Sequence, residues 1–417
     1  MQMLRLVDIE EARARIRDTL YYSPCAHSRT LSRMLGCQLH LKLENLQMTG
    51  SFKERGACNK LELLTPEERA SGVITASAGN HAQGVAYHAT RLGLRATVVM
   101  PLATALVKVT STRELGGDVV LHGANFDEAQ AEARRLQAER GATYVHPFDD
   151  YAVMAGQGTL GLELLEQAPN LDVVLVPVGG GGLVSGLAVA LKEKHPRIRV
   201  VGVETSAVAS MTAARAAGGP VVVDARHSIA DGIAVRRVGD RCFDVCKRYL
   251  DDMITVDEDS IAEAVLLLLE REKTVAEGAG ATALAGVLSG QVPLEGKRVA
   301  VIVSGGNIDV NLTSRVIDRG LWRSGRLVRL RCVIDDVPGA LSALLGLIAP
   351  TNANVLEIEH ERVGDRLALG QTTVEILCET RGFEHVSEIE GVLEAAGVAV
   401  ERAAGPAAGT VRRSFRA

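Results

Sequence analysis

Four stretches of this sequence combine residue types and spacings that could do chemistry. The first is Thr49-Gly50-Ser51-Phe52-Lys53-Glu54-Arg55-Gly56-Ala57. It sets a lysine just inside a helix start, with Ser51 as the candidate cap for an unsatisfied first-turn N–H. Most lysines in such positions are solvated surface groups, so Lys53 gains weight only from the other three. The second is Gly179-Gly180-Gly181-Gly182, between an apolar run and a helix expected from Leu183. Successive glycines there can lay backbone N–H groups around a phosphate, with the helix dipole behind them. The third, Ser77-Ala78-Gly79-Asn80-His81-Ala82-Gln83-Gly84, also ends a strand and starts a helix. Its N–H groups make a carboxylate site to which Ser77 and Asn80 can add side-chain bonds, while His81 is either a catalytic group or a satisfied structural one. The fourth, Ser304-Gly305-Gly306-Asn307, closes a buried strand.

Two common phosphate motifs fail on the glycine run. No register of Gly179 to Gly186 fits G-x-G-x-x-G, because Leu183 stands at the third position when counting starts at Gly181; a P-loop needs a lysine where Leu187 follows Gly186. Glu204, at the end of the next strand, is the one feature that favours a dinucleotide. A plain flexible turn is the remaining alternative, although four glycines cost backbone entropy without a packing return.

The elements that must position these stretches alternate. Strands are expected at 39–44, 73–77, 96–100, 119–122 and 143–145, with helices at 8–20, from about 81, at 106–115 and at 127–140. The pattern restarts with a helix at 158–167, strands at 173–178, 200–204 and 299–304, and a helix at 260–270. Short strands alternating with helices of ten or more residues indicate βαβ units, parallel sheets and an α/β fold. The two sets imply two lobes with a ligand cleft between them. Beyond residue 318 the composition changes, and 323–326 reads as a linker. Residues 327–402 then read strand, helix, strand, strand, helix, strand, which is the ferredoxin-like βαββαβ order. A tail, 403–417, is expected to be poorly ordered.

At 417 residues the chain exceeds one simple core. A net charge of −5 offers no basic field for nucleic acid. Seven cysteines, an odd number in a long chain, argue for a reducing compartment over a disulfide framework. Cys242 and Cys246, four apart, read as packing. No apolar run reaches membrane-spanning length and the N-terminus lacks a secretory signal, so a cytoplasmic protein is expected.

Ser51-Phe52-Lys53-Glu54-Arg55-Gly56-Ala57, Pro177 to Leu183, Ser77 to Gly84 and Ser304 to Asn307 together resemble the fold-type II pyridoxal-phosphate (PLP) enzymes, and within them the threonine/serine dehydratases. The resemblance covers roughly 15–320 and implies a two-lobed catalytic domain over 1–322, its smaller lobe about 49–150. It implies that Lys53 carries PLP and removes the substrate's Cα proton. Phe52, Asn80, Gly179, Gly180, Gly181, Gly182, Leu183 and Ser304 would contact the cofactor, with Asn80 at the ring oxygen and Ser304 at the ring nitrogen. Ser77, Ala78, Gly79, Asn80 and His81 would hold the substrate carboxylate. A neutral serine makes the ring a weaker electron sink than an aspartate would, which suits elimination better than amino transfer.

Glu277 and the segment Ser228 to Ala234 match dehydratase segments without an assigned role. Glu204 is a weak candidate metal ligand, and no partner ligands are readable. Ala105 stands where relatives often carry a proline. Asp335 to Leu341 resembles the first turn of ACT regulatory domains. That implies an amino-acid effector, isoleucine or valine, near Asp336, Pro338, Gly339, Ala340 and Leu341, and a homo-oligomer, dimer or tetramer. The expected activity is β-elimination of L-threonine. The alternatives are an L-serine dehydratase or serine racemase and, from another class, an inactive amino-acid-sensing protein.

Overall fold

A hydrophobic run flanked by glycine is the recurring local unit of the first three hundred residues, and it builds two sheets. The computed structural model describes residues 3–361 and 368–403, so of the tail only residue 403 lies among them. The chain divides into two compact units, Met1–Asp309 and Val310–Ala417.

In the first unit a four-stranded parallel sheet runs Asp118–Leu121, Ala96–Met100, Val73–Ala76, Thr143–Tyr144. A six-stranded sheet runs Cys25–His27, Gln38–Leu43, Arg298–Val303, Val173–Pro177, Arg199–Thr205, Asp252–Val256. Only its edge strand Cys25–His27 is antiparallel. Val173–Pro177 is buried at every position, as a central parallel strand covered by helices on both faces must be. One hydrophobic core joins this strand to Leu183, Val184, Leu187 and Leu191 on the helix that follows. Among the described residues no helix is long and apolar enough to cross a membrane.

Two elements depart from the sequence expectation. The helix expected from residue 158 begins at Tyr151, capped by Asp150 Oδ1 accepting from the N–H groups of Ala152 and Val153. Gly156, Gly158 and Gly161 lie within this longer helix, where they let other backbones and side chains come close. A Cβ on Gly158 would strike Ile9 and Gly186, and one on Gly161 would strike Ala190. Much of the composition change at 318–326 lies in a helix, Val310–Arg323, and the first compact unit ends at Asp309.

The second unit pairs Asn354–Glu361, Gln371–Glu379, Leu327–Asp335 and Ala399–Arg402 in that order, all antiparallel. With helices Ala340–Ile348 and Phe383–Ala395 this is the ferredoxin-like βαββαβ arrangement. Val328, Leu330, Cys332, Val374, Ile376 and Cys378 form its core against the helices. Arg329 and Arg331 reach Glu357, Glu359, Glu375 and Glu401 in a set of ion pairs.

Candidate active site

The site is assembled where strands end. Val303, Pro177 and Ala76 are the last residues of their strands, and each runs into one of the chemically promising loops, at the carboxyl ends where open α/β sheets bind ligands. These loops line one cleft of about 870 Å³. Phe52, Lys53, Ser77, Ala78, Gly79, Asn80, His81, Gly179, Gly180, Gly181, Gly182, Leu183 and Ser304 all face it, so every proposed cofactor and substrate residue converges on one space. Glu204 does not.

Lys53 is the first residue of helix Lys53–Glu62. Ser51 does not cap that helix: the capping position is Phe52, with no side-chain bond, and the buried Ser51 hydroxyl has no hydrogen-bond partner. Ser51 instead works through its backbone. It bridges Gly305 in antiparallel fashion, Phe52 N–H donates to Ser304 O at 3.1 Å, and Gly306 N–H donates to Gly50 O at 2.9 Å. This short ladder fixes Lys53 and Ser304 in register. The turn before it is held by Glu54, whose Oε2 accepts from Thr49 N–H at 2.8 Å and from its hydroxyl at 2.9 Å.

The Lys53 amine donates to Pro147 O at 3.0 Å and lies 5.4 Å from the Phe52 ring centre. Burial pushes it down to about 8, against the opposing pull of Cys242 and Glu277. Burial and the nearby Lys53 push His81 down to about 3. Its ring is therefore neutral, with Nε2 donating to Val145 O at 3.1 Å. Asn80 Nδ2 donates to Glu277 Oε1 at 2.7 Å, and Asn80 Oδ1 accepts from Asn307 at 2.8 Å. Glu277, buried and near Asp231, is pushed up to about 7.

Glycines at 179–182 are enforced by close packing. A Cβ on Gly180 would enter the Phe148 ring, one on Gly179 would meet the Ile233 backbone, and one on Gly181, at φ +96°, would meet Cys242. No side chain is available to cover the loop's N–H groups, and the helix Gly182–Lys194 starts directly behind them. The Ser304 hydroxyl has one long bond, to Ala279 O at 3.4 Å.

Glu204 has a different task from the one considered for it. Its oxygens accept from Met211 N–H at 2.6 Å, Thr212 N–H at 2.9 Å and the Thr212 hydroxyl at 2.8 Å, which caps the helix Ser210–Ala217. Among the described residues no group of three His, Cys, Asp or Glu side chains could hold a metal.

Two features escaped sequence reasoning. One is Val145 to Asp149, which touches nearly every part of the site: Val145 O takes His81, Pro147 O takes Lys53, Phe148 packs under the glycines, and Asp149 Oδ1 accepts from Cys242 N–H. The dipeptide His146-Pro147, directly after a buried strand end, was its only local signal. The other is a buried charge cluster beneath the Lys53 helix. Arg55 donates to both oxygens of Glu44 (2.7 and 2.8 Å) and of Glu163 (2.6 and 2.8 Å), and Lys42 donates to Glu163 at 2.6 Å.

This combination of a cleft lysine, a bare glycine loop ahead of a helix and two parallel sheets defines a phosphate-cofactor enzyme of the α/β class. Residues 16–305 match the family described as pyridoxal-phosphate dependent enzyme, and the chain belongs to that family. Its cofactor is PLP. The chain is 48% identical over 398 residues to the L-threonine ammonia-lyase of Thermotoga maritima, covering 95% of this chain and 99% of that one. The structure of the processed form of threonine deaminase isoform 2 from Solanum lycopersicum shares 39% identity at a TM-score of 0.72, over 75% of this chain and 92% of that one. Maize serine racemase shares 34% at a TM-score of 0.73, over 77% and 99%.

Proposed function

We propose that the protein is an L-threonine ammonia-lyase, converting L-threonine to 2-oxobutyrate and ammonia. The observation that carries this reading is the convergence of Lys53, the carboxylate loop, the glycine loop and Ser304 on one cleft. Its support is similarity to an L-threonine ammonia-lyase over nearly the whole of both chains.

The residues lining the cleft fit PLP. Lys53 would carry it through its amine, the bare N–H groups of Gly179 to Gly182 and Leu183 would take the phosphate, and Ser304, Asn80 and Phe52 would serve its ring. When bound, PLP supplies an electron sink for the substrate's Cα, held moderate by a neutral serine. The chain's own residues do the rest. The Ser77 to His81 loop, at the start of helix Asn80–Arg91, orients the carboxylate. Lys53 Nζ, with its affinity for protons lowered by burial, takes the Cα proton near neutral pH. Glu277 holds the Asn80 amide in place. Water is lost across Cα–Cβ, and water returns at Cα as ammonia leaves.

The test is an ammonia and 2-oxo-acid assay across L-threonine, L-serine and their D-isomers. L-threonine should be turned over fastest, and no keto acid from either L-substrate would sink the reading. A second reading, L-serine dehydration or racemisation, is favoured by the similarity to maize serine racemase, and D-serine formed from L-serine would establish it.

The C-terminal unit is proposed to be an ACT-type regulatory domain in a homo-oligomer. Asp336, Pro338, Gly339, Ala340 and Leu341 form the exposed turn and first residues at helix Ala340–Ile348, with Gly339 at φ +92°. Isoleucine or valine is the proposed effector there, and calorimetry that detects neither would remove it. Seven unpaired cysteines fit a reducing compartment, the cytoplasm.

A further inference from the structure

Lys53 must be held in two situations: joined to the cofactor, and displaced from it while the substrate reacts. The cofactor fixes only the first. For the second, the chain provides a hydrogen-bond acceptor of its own, the carbonyl oxygen of Pro147, at 3.0 Å from Nζ. Proline supplies no N–H of its own, and the turn around it is held from one residue upstream. His146 Nδ1 accepts from Phe148 N–H at 3.2 Å and from Asp149 N–H at 2.8 Å. This is the geometry by which an asparagine side chain closes a turn on its own backbone two and three residues ahead. An imidazole can take it only if Nδ1 is bare and the ring is neutral with its proton on Nε2.

We propose that His146 is a positioning residue for Lys53: its Nδ1 closes the 146–149 turn that presents the Pro147 carbonyl as the resting place of the displaced ε-amine. A bond donated there leaves the amine's lone pair free to point into the cleft. The same turn places Phe148 beneath Gly180 and Gly182, so one side chain sets both the base and the floor of the glycine loop. The edge of the His146 ring stacks on the Phe148 ring with centres 4.7 Å apart, which fixes the ring plane. Burial keeps the imidazole neutral, down to about 4, against the pull of Asp149 and Asp150 and together with Arg134 and Lys53. The groups that face the Lys53 amine are Cys242, Glu277, His81 and His146 itself.

The inference rests on Lys53 being the reactive amine, but its test uses neither substrate nor cofactor. Failure here is therefore distinct from failure of the threonine reading. The PLP-free chain is treated with trinitrobenzenesulfonate over a pH series, and modification of the Lys53 peptide is counted by mass spectrometry. In the native chain the labelling midpoint should lie near 8. His146→Leu opens the turn and releases the amine toward water, so the midpoint should rise by about one unit toward the ordinary lysine value. His146→Asn restores an acceptor close to the Nδ1 position and should return the midpoint to the native one. An unchanged midpoint in the leucine variant, or the same shift in the asparagine variant, would overturn the proposal.

Should the leucine variant not fold, the ¹⁵N spectrum of histidine-labelled native protein decides. The resonance missing from His146→Asn must belong to a neutral Nε2–H ring at pH 6. A cationic ring or an Nδ1–H tautomer there would overturn the proposal equally.

Discussion

Lys53, half-buried and lining the cleft, and Arg55, fully buried, are two cations two residues apart on one helix, and they meet opposite fates. Arg55 is enclosed by Glu44 and Glu163, which satisfy four of its donor bonds, and with Lys42 the four groups sum to no net charge. Burial alone would disfavour its charge, but the two carboxylates outweigh burial and raise its pKa. Among the described residues Lys53 has one carbonyl partner and no carboxylate in contact, and burial wins. The same desolvation therefore produces a fixed structural charge where pairing is complete and a proton-accepting amine where it is not. The paired site holds the helix that carries the unpaired one.

The comparison breaks most visibly at Lys53. Lys53→Met should lower turnover by about 10⁴-fold, the upper end of what a positioned acid or base contributes, and should abolish the visible absorption of bound PLP. Arg55→Met should lower stability by about 3–5 kcal/mol, because it leaves two buried carboxylates with Lys42 as the cation still in contact among the described residues. Urea unfolding of the PLP-free chain measures this. If Arg55→Met is neutral in stability, the paired half of the comparison is wrong.

The alternation of strands and helices was legible because period and length are local properties. So were the loops at strand ends, because glycine and serine at a strand–helix junction have few other uses. The cluster of Lys42, Glu44, Arg55 and Glu163 was not, since its members lie far apart in sequence and each alone reads as a surface charge. The early start of helix Tyr151–Gln167 was hidden because a glycine that admits a neighbouring backbone and a glycine that breaks a helix look the same in one dimension. Ser51 misled for a related reason: a serine before a helix suggests a cap, but here the backbone was already committed to pairing with Gly305. Val145 and Pro147 meet His81 and Lys53 through their carbonyl oxygens, and residue types say little about those.

A sharper contrast comes from stability against pH in the PLP-free chain. Lys53 has a lowered pKa in the fold, so its charge is a penalty that is full below about pH 8 and relieved as pH rises toward the unfolded value. Lys53→Met should then stabilise the PLP-free chain at pH 7 by about 1–2 kcal/mol, opposite in sign to Arg55→Met. Glu277 has a raised pKa, so stability is present below its unfolded value and lost as pH climbs through about 7. Glu277→Gln should flatten the decline between pH 5 and 7.5 and add about 1–3 kcal/mol at pH 8. Denaturant midpoints across that range check both signs.

The smallest effect is expected at Ser304, and it separates function from scaffold most cleanly. Its backbone carbonyl takes part in the ladder with Phe52, while its hydroxyl has only the long bond to Ala279. Ser304→Ala keeps the ladder and removes little that holds the fold, so the unfolding midpoint should stay within the error of the measurement. Turnover should fall about tenfold, the weight of one hydrogen bond of about 1.4 kcal/mol made in the reaction and not in the resting chain. A variant that loses stability without losing turnover would place Ser304 with Arg55 among the groups that build the helix seat. One that loses turnover alone would place it with Lys53, among the groups left under-satisfied by the fold so that a ligand can complete them.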